Sequence, residues 1–301
     1  MFSIVTVNYN GEKFLDFFLA SLVNQKFSEF KLYFVDNGSK DNSLSTVNKY
    51  ISSLDIEVLI LDENNGFAKA NNIGIDLAMR DSNEFVITLN NDIELAESCL
   101  LNLKNRLESL KDTYDVFQML MLNYYERDVI DTAGLGFKEY YCTYQIGYKK
   151  NISFLDSYKS DVQGVCAGAA VYSKKSLNAI KESSGDYFDS RFFAYYEDVD
   201  LSLRLLKKGF KSFLIKDAIV YHIHSGTSSE GSPFKAFYLT RNLLLYLNKN
   251  LTRTEFRKYS IYYLGIFLKT QFNYLIHCKI NLIRSSIKGY LDYRKLRMKK
   301  R

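Results

Sequence analysis

The chain has 301 residues, of which 47% are hydrophobic, and its aromatic content of 15% excludes a disordered protein. Its composition and the lack of a sequence period exclude a collagen-like or repetitive protein. Its formal net charge of +6 hides an asymmetry, because residues 1–232 carry 24 Lys and Arg against 32 Asp and Glu, whereas residues 233–301 carry 16 against 2. These balances of −8 and +14 predict an acidic body and a basic tail that binds a polyanion.

Strand and helix patterns alternate over the first hundred residues. Short β-branched and apolar runs predict strands at 3–7, 31–35, 57–61 and 84–89. Helical spacing of apolar residues predicts helices between them, at 11–24, 41–51 and 67–79. This alternation indicates βαβ units, and therefore an α/β fold with a parallel sheet.

Each predicted strand ends in a polar turn. The four turns span residues 8–11, 36–39, 64–66 and 90–92. Ligands of open α/β sheets bind outside the carboxyl ends of the strands, so we expect the four turns to form one site.

The second half of the chain is less regular. Hairpins are predicted around Gly134 and Gly147, and a stretch of small residues at 164–170 allows close backbone approach. A helix is predicted at 198–208 and a strand at 211–222. The single proline, Pro233, follows a Gly- and Ser-rich segment, which predicts a boundary between a domain of residues 1–232 and a basic, aromatic, helical extension of residues 233–301.

The cysteines and the apolar runs indicate whether the chain is secreted or crosses a membrane. The four cysteines lie far apart without a CxxC pair, which favours reduced thiols over disulfides or a zinc site. The longest apolar run of the tail, at 261–268, is much shorter than the roughly 20 residues of a transmembrane helix. We therefore expect a chain that is neither secreted nor membrane-spanning.

The polar turns contain two candidate binding residues. The first turn lacks the GxGxxG pattern, which argues against NAD binding. Asp36 is placed to accept a hydrogen bond from a nucleotide base or ribose, or else to cap its own turn. Asp92 follows an apolar strand and is placed to hold a divalent cation, for which oxygen ligands are suited, or else to cap the loop.

Candidate catalytic residues lie further along the chain. Glu197, Asp198 and Asp200 stand at a helix start, where they either cap the helix or supply a general base at Asp198, with Arg204 as an internal ion-pair partner. His222 and His224 would share one face of a strand, so that either could meet a metal ion. We assign no role to His277.

These elements occur in an order that resembles the family 2 glycosyltransferases of the GT-A fold, in particular their bacterial rhamnosyltransferase-like branch. The resemblance covers roughly residues 2–230. It rests on residues 3–10, 35–39, 64–68, 71–75, 89–92, 168–170, 188–193, 197–201 and His222. It implies a mixed, mainly parallel sheet flanked by helices.

The resemblance also implies roles for individual residues. Asp198 would act as the base of an inverting transfer, and Glu197 and Arg191 would bind the acceptor. Asp92 and His222 would bind Mg²⁺ or Mn²⁺. The nucleotide would contact Val7, Tyr9, Asp36, Gly66, Lys69, Asn72 and Asn91. The family's acidic motif often begins with Asp where this chain has Asn90, which puts metal dependence in question more than catalysis.

The tail is interpreted from its physical properties alone. Basic side chains attract anionic lipid and aromatic side chains settle at the membrane interface, so residues 233–301 predict peripheral attachment to the inner face of the membrane from the cytoplasm. A solvated helical extension or a homodimer surface is the alternative. No nucleic-acid-binding motif accompanies the charge.

We therefore expect a metal-assisted, inverting glycosyltransferase of bacterial surface polysaccharide synthesis. Its donor would be dTDP-rhamnose, or else a UDP-hexose, and its acceptor a glycan or lipid-linked hydroxyl. The alternatives are a non-catalytic GT-A-fold protein that binds sugar nucleotides or glycans, and a nucleotidyltransferase, whose basic, Gly-rich phosphate loop is missing here.

Overall fold

The computed structural model describes residues 1–182, 184–223 and 231–298. The strands are β1 (Phe2–Asn8), β2 (Phe30–Asp36), β3 (Ile56–Ile60), β4 (Phe85–Leu89), β5 (Ile93–Leu95), β6 (Val116–Asn123), β7 (Ile130–Thr132), β8 (Leu135–Phe137), β9 (Thr143–Gln145), β10 (Asp161–Val162), β11 (Ala169–Ser173) and β12 (Ser212–His222). The helices are α1 (Glu12–Val23), α2 (Ser43–Asn48), α3 (Gly66–Ala78), α4 (Cys99–Leu110), α5 (Lys174–Ile180), α6 (Glu197–Lys207), α7 (Pro233–Asn250), α8 (Arg253–Ile276) and α9 (Ile280–Met298).

Within these residues, ten strands form one mixed sheet. Its order is β10-β12-β6-β11-β4-β1-β2-β3, with β5 on β12 and β7 on β6, while β8 and β9 form a separate hairpin. The strands β4, β1, β2 and β3 run parallel, as βαβ connections require. Strand β11 is antiparallel to both β4 and β6. The predicted α/β fold with a mixed, mainly parallel sheet flanked by helices is confirmed.

Alternate side chains of the strands enter two hydrophobic cores. In β1, for example, Ile4 packs in the core with α1, α2 and α4, whereas Val5 packs in the core with α3, α5 and α6. Because neighbouring side chains of a strand point to opposite faces, such continuous apolar strands need helices on both sides. The sheet is therefore the middle of three layers.

Most of the predicted elements are present within two residues. The helix predicted at 41–51 is shorter, because only Ser43–Asn48 is α-helical and turns follow it. The hairpin expected around Gly134 is formed by β8 and β9. The cysteines are free thiols, as predicted.

The residues after Pro233 are helical, as predicted. Ser232 caps α7 by accepting a hydrogen bond from the backbone N–H of Lys235 at 3.2 Å. None of the helices in the described residues is long and apolar enough to cross a membrane. The division of the chain into two domains at this point stays a prediction.

Candidate active site

Buried amide side chains link the polar turns at the ends of β1, β2 and β4. Asn91 Nδ2 donates to Asn8 Oδ1 at 2.6 Å, and Asn8 Nδ2 donates to Asp36 Oδ1 at 3.0 Å. A Cβ atom on Gly11 would lie 2.2 Å from Asn91 Nδ2, so only glycine permits this approach. The structure thus brings three of the four predicted turns together.

The fourth turn is linked through Asn37. Its Nδ2 donates to Asn64 Oδ1 at 3.0 Å, and its Oδ1 accepts from the backbone N–H of Asn65 at 2.9 Å. Asp36 itself accepts from the backbone N–H of Ser39 at 3.0 Å and is 1% exposed. Asp36 therefore holds its own turn, and a contact with a nucleotide base stays a prediction.

The other residues predicted to bind a nucleotide differ in exposure. Val7 is half-buried, and Tyr9 and Lys69 are exposed at the same edge of the sheet. Gly66 has a φ of +82°, and a Cβ atom there would lie 2.5 Å from the Phe193 ring. Gly66 thus lets the start of α3 pack against the loop that contains Phe193.

Asn72 has a structural partner that the sequence does not reveal. Its Nδ2 donates to the carbonyl oxygen of Phe188 at 2.7 Å, and its Oδ1 accepts from the N–H of Phe188 at 2.9 Å. Both ends of this buried amide hold the backbone before the Ser190–Phe192 turn. A contact of Asn72 with the nucleotide stays a prediction.

Asp92 and His222 meet at the edge of the sheet. Asp92 Oδ1 lies 3.2 Å from His222 Nε2, and His222 Nδ1 lies 2.6 Å from Asp131 Oδ2. All three side chains are nearly buried, and β5 pairs with the end of β12 to hold them. Asp131 was missed at the sequence level. His224 lies outside the described residues.

This arrangement suits a divalent cation. Asp92 Oδ1 is buried and, apart from its contact with His222, has no hydrogen-bond partner among the described residues. Two ligands bound to one cation at about 2.1 Å and at right angles are about 3.0 Å apart, close to the separation of the Asp92 and His222 atoms. Burial lowers the pKa of His222, but Asp92 and Asp131 raise it to about 10. The imidazole therefore carries a proton that a cation at Nε2 would replace.

Asp198 and Glu197 stand at the start of α6. Asp198 Oδ1 accepts from the backbone N–H of Val199 at 2.8 Å, and the backbone of Ala167 and the Cys166 thiol also hydrogen-bond its carboxylate. The carbonyl oxygen of Ala167 accepts in turn from Thr88 at the end of β4, at 2.7 Å. Residues 166–168 thus connect Asp198 to the strand that precedes Asp92.

Both carboxylates of this pair hold protons more tightly than usual. Burial raises the pKa of Asp198. Burial and the charge of Asp198 raise the pKa of Glu197 well above its ordinary value. Glu197 Oε2 is buried and has no hydrogen-bond partner in the described part of the chain. The hydrogen bonds to the Asp198 carboxylate favour its ionised form, so Asp198 is the member of the pair that suits a general base.

We expect Glu197→Gln to raise the melting temperature at pH 7. A raised pKa in the folded state means that folding takes up a proton, so the contribution of this group to stability falls as pH rises above the unfolded pKa. The neutral amide avoids that loss. Calorimetry at pH 7 and pH 4.5 should show a gain at pH 7 that shrinks at pH 4.5, whereas a lower melting temperature at both pH values would contradict the pKa assignment.

The loop before α6 is strained. Phe193, Tyr195 and Tyr196 have φ values of 65°, 66° and 72°, in the left-handed region that non-glycine residues rarely adopt. Such conformations persist where the surroundings hold them, and they cluster at functional sites. We call residues 191–196 the catalytic loop because it leads directly into Glu197 and Asp198, the acids for which the sequence predicts roles in acceptor binding and catalysis.

Helix α7 holds the catalytic loop. Asn242 Nδ2 lies within 2.8 Å of the carbonyl oxygens of Phe192, Ala194 and Tyr195. Arg241 Nη2 donates to the carbonyl oxygen of Phe192 at 2.6 Å. Both α7 side chains are buried. The geometry before Asp198 therefore depends on residues beyond the predicted boundary at 232.

A second contact of α7 involves an acidic cluster. Glu182, Asp189 and Asp200 place carboxylate oxygens within 4.8 Å of one another. Lys249 Nζ lies 2.8 Å from Glu182, 2.9 Å from Asp189 and 2.8 Å from Asp200. Arg204 Nε also lies 2.8 Å from Asp200. Side-chain cations neutralise the cluster, so it is an ion-pair network, which we call the Lys249 network.

Arg191 belongs to the edge of this network. Its Nε donates to Asp189 Oδ1 at 2.8 Å, and this bond raises the pKa of the guanidinium. The side chain is about one-third exposed. Its predicted role in binding the acceptor, like that of Glu197, stays a prediction, while the predicted ion pair of Arg204 with an acid of this turn is present.

Comparison with known proteins matches residues 3–181 to the family described as glycosyl transferase family 2. This stretch is more than half of the chain. It includes the polar turns and Asp92 but ends before Asp198 and His222.

Two curated relatives match part of the chain. The poly(ribitol-phosphate) beta-N-acetylglucosaminyltransferase TarS of Staphylococcus aureus (strain MW2) is 35% identical over 94 residues, which cover 30% of this chain and 16% of the relative. The chondroitin synthase of Pasteurella multocida (strain Pm70) is 29% identical over 250 residues, which cover 73% of this chain and 24% of the relative. The chain thus spans at most a quarter of these relatives.

Solved structures match the fold over most of the chain. The crystal structure of GalNAc-T7 with UDP, GalNAc and Mn²⁺ aligns with a TM-score of 0.62 at 18% identity, and the match covers 82% of this chain and 48% of that one. At this identity the likeness shows the fold, which is the GT-A fold predicted from the sequence.

Proposed function

Because the chain belongs to glycosyl transferase family 2, we propose that it transfers a sugar from a nucleoside diphosphate sugar to a hydroxyl group of a glycan or lipid-linked acceptor. One observation carries the proposal. Residues 166–168 contact Asp198 on one side and the turn of Asn90 on the other, where the N–H of Asn90 donates to the carbonyl oxygen of Gly168 at 2.9 Å. A base and a candidate cation site therefore border the same backbone segment.

The proposed reaction is a single displacement that inverts the anomeric carbon. Asp198 accepts the proton of the acceptor hydroxyl while the hydroxyl oxygen forms a bond to the anomeric carbon. The bond between that carbon and the diphosphate oxygen breaks, and its electron pair leaves with the nucleoside diphosphate. A divalent cation, Mg²⁺ or Mn²⁺, would be held by Asp92 and His222 and would stabilise charge on the diphosphate.

The donor is proposed from the sequence resemblance and the relatives together. The resemblance favours dTDP-rhamnose, whereas the names of TarS and GalNAc-T7 favour a UDP-linked hexosamine. The proposed acceptor class is supported by the names of TarS, a transferase of poly(ribitol-phosphate), and of chondroitin synthase, because both names refer to polymers. Thermal shifts with dTDP-rhamnose, UDP-N-acetylglucosamine and GDP-mannose, each with Mn²⁺, test this proposal. A shift with one of them supports it, and no shift with any of them contradicts it.

We expect Asp92→Ala to remove the effect of Mn²⁺ on nucleotide binding. The variant deletes an oxygen ligand but leaves the Asn91–Asn8–Asp36 hydrogen bonds in place. Calorimetric titration with UDP or dTDP should show Mn²⁺ tightening binding to the wild type about tenfold or more, and not to the variant. Glu94→Ala is the matched control, since Glu94 lies two residues away in an exposed ion pair with Arg127. Equal Mn²⁺ effects in the wild type and Asp92→Ala would contradict the assignment.

A further inference from the structure

We propose that α8 and α9 form a surface that binds an anionic lipid bilayer, with the outer face of α8 entering the headgroup layer. This outer face consists of Ile261, Leu264, Leu268, Phe272 and Leu275. The proposal concerns where the protein binds and does not depend on its catalytic function.

The outer face of α8 is apolar and exposed. Its five side chains recur at intervals of three and four residues, which places them along one side of a helix. Their exposed fractions lie between 55% and 77%. Aligned apolar side chains at this exposure mark an interaction surface rather than the scattered apolar residues of an ordinary surface.

The opposite side of α8 packs on the protein in the first half of the helix. Tyr263 is buried, and its hydroxyl donates to the carbonyl oxygen of Tyr140 at 2.9 Å. The same cluster contains Phe256, Tyr259 and Tyr196, the residue before Glu197. The outer face is therefore a second apolar side of α8, which already contacts the protein core through Tyr263 and its neighbours. It lies opposite the side that packs near the catalytic loop.

Helix α9 repeats this arrangement. Leu282, Ser286 and Tyr293 are buried, and Gly289 packs so closely on α7 that a Cβ atom there would lie 2.4 Å from the carbonyl oxygen of Phe237. Ile280, Ile287, Tyr290 and Leu291 are exposed instead.

The charge around these faces has one sign. Residues 256–291 contain Arg257, Lys258, Lys269, Lys279, Arg284 and Lys288 but no Asp or Glu. The two flanking acids are both bound to neighbouring groups of the protein. Glu255 caps α8 with Thr252, and Asp292 lies 3.4 Å from Arg241 of α7. The surface is therefore apolar and cationic.

The combination of apolar side chains and positive charge indicates which partner binds this surface. An anionic bilayer offers negative headgroups to the basic side chains and an apolar layer to the outer face. A second copy of the chain would bring the same positive charge against itself, and a nucleic acid would leave the aliphatic side chains in water. The basic residues Arg241 and Lys249 do not contribute, because α7 buries them against the catalytic loop and the Lys249 network.

Vesicle co-sedimentation of the full chain tests the proposal. The wild type is expected to bind vesicles of phosphatidylcholine with phosphatidylglycerol and not vesicles of phosphatidylcholine alone. The variant L268E/F272E should bind the mixed vesicles about tenfold more weakly or less. The control variant V23E/I51E changes two exposed aliphatic side chains on α1 and after α2, adds the same charge, and should bind like the wild type.

Thermal unfolding of both variants shows whether they are folded. The proposal would be overturned if the wild type bound vesicles equally well with and without phosphatidylglycerol. It would also be overturned if L268E/F272E and the wild type bound the mixed vesicles equally well. A wild-type dimer in sedimentation velocity that L268E/F272E dissociates while vesicles stay unbound would overturn it too, because the outer face would then join two copies of the chain.

Discussion

Asp198→Asn is expected to lower the rate of sugar transfer by about 10²–10⁴-fold, the usual contribution of a general base. The amide keeps the size of the side chain and cannot accept the proton of the acceptor hydroxyl. The turns that are proposed to bind the nucleotide do not involve Asp198, so the Kd of the donor should change little. The rate at saturating donor and the Kd from calorimetric titration check both parts.

The control for this variant is Asp217→Asn, which removes a carboxylate from an exposed ion pair with Arg106 and should transfer sugar like the wild type. The pH dependence adds a second readout. Because burial raises the pKa of Asp198, the wild-type rate should fall on acidification at a pH above the usual aspartate pKa of about 3.9. Transfer by Asp198→Asn within a few-fold of the wild type would refute its role as base.

Lys249→Met is expected to destabilise the protein by about 3–5 kcal/mol, the cost of removing one partner from a buried ion pair. The Lys249 network would keep three carboxylates close together with one cation fewer. Burial alone would raise the pKa of the Asp189 carboxyl. Arg191 and Lys249 lower it by more than burial raises it, so the pKa lies well below its usual range. The stability from this depressed pKa is present above about pH 4 and is lost as pH falls further.

Urea unfolding at pH 7 measures the effect of Lys249→Met. The control is Lys258→Met, an exposed lysine of α8 without an ion-pair partner in the described residues, which should stay within about 0.5 kcal/mol of the wild type. A loss below about 1 kcal/mol for Lys249→Met would mean that the Lys249 network contributes little to attaching α7 to the body.

Local patterns predicted the sheet and the edge on which the site lies. Strands such as β1 and β4 are short runs whose two faces are both apolar, and each ends in polar residues that start a turn. The links between the turns have no such local signal. Asn8 and Asn91 are 83 positions apart, and nothing in the sequence around either asparagine predicts a hydrogen bond between them.

Residues that act through distant partners were missed for the same reason. Asp131 lies in the irregular stretch of the chain, and only the fold places it 2.6 Å from His222, 91 positions away. The charge of the tail predicted a basic surface, but it could not indicate which of the basic side chains face the solvent. Arg241 and Lys249 contributed to the predicted lipid-binding charge, whereas the fold turns them inward to hold the catalytic loop and the Lys249 network.

The most direct test of the proposed function is the release of nucleoside diphosphate by the wild type, measured with and without an acceptor glycan fraction from a bacterial cell envelope. The donor is the sugar nucleotide that gives a thermal shift, supplied with Mn²⁺. We predict release that depends on the acceptor and labelled sugar in the glycan product. A donor that binds but is not consumed with any acceptor fraction would contradict the transfer reaction and indicate a non-catalytic sugar-nucleotide-binding protein.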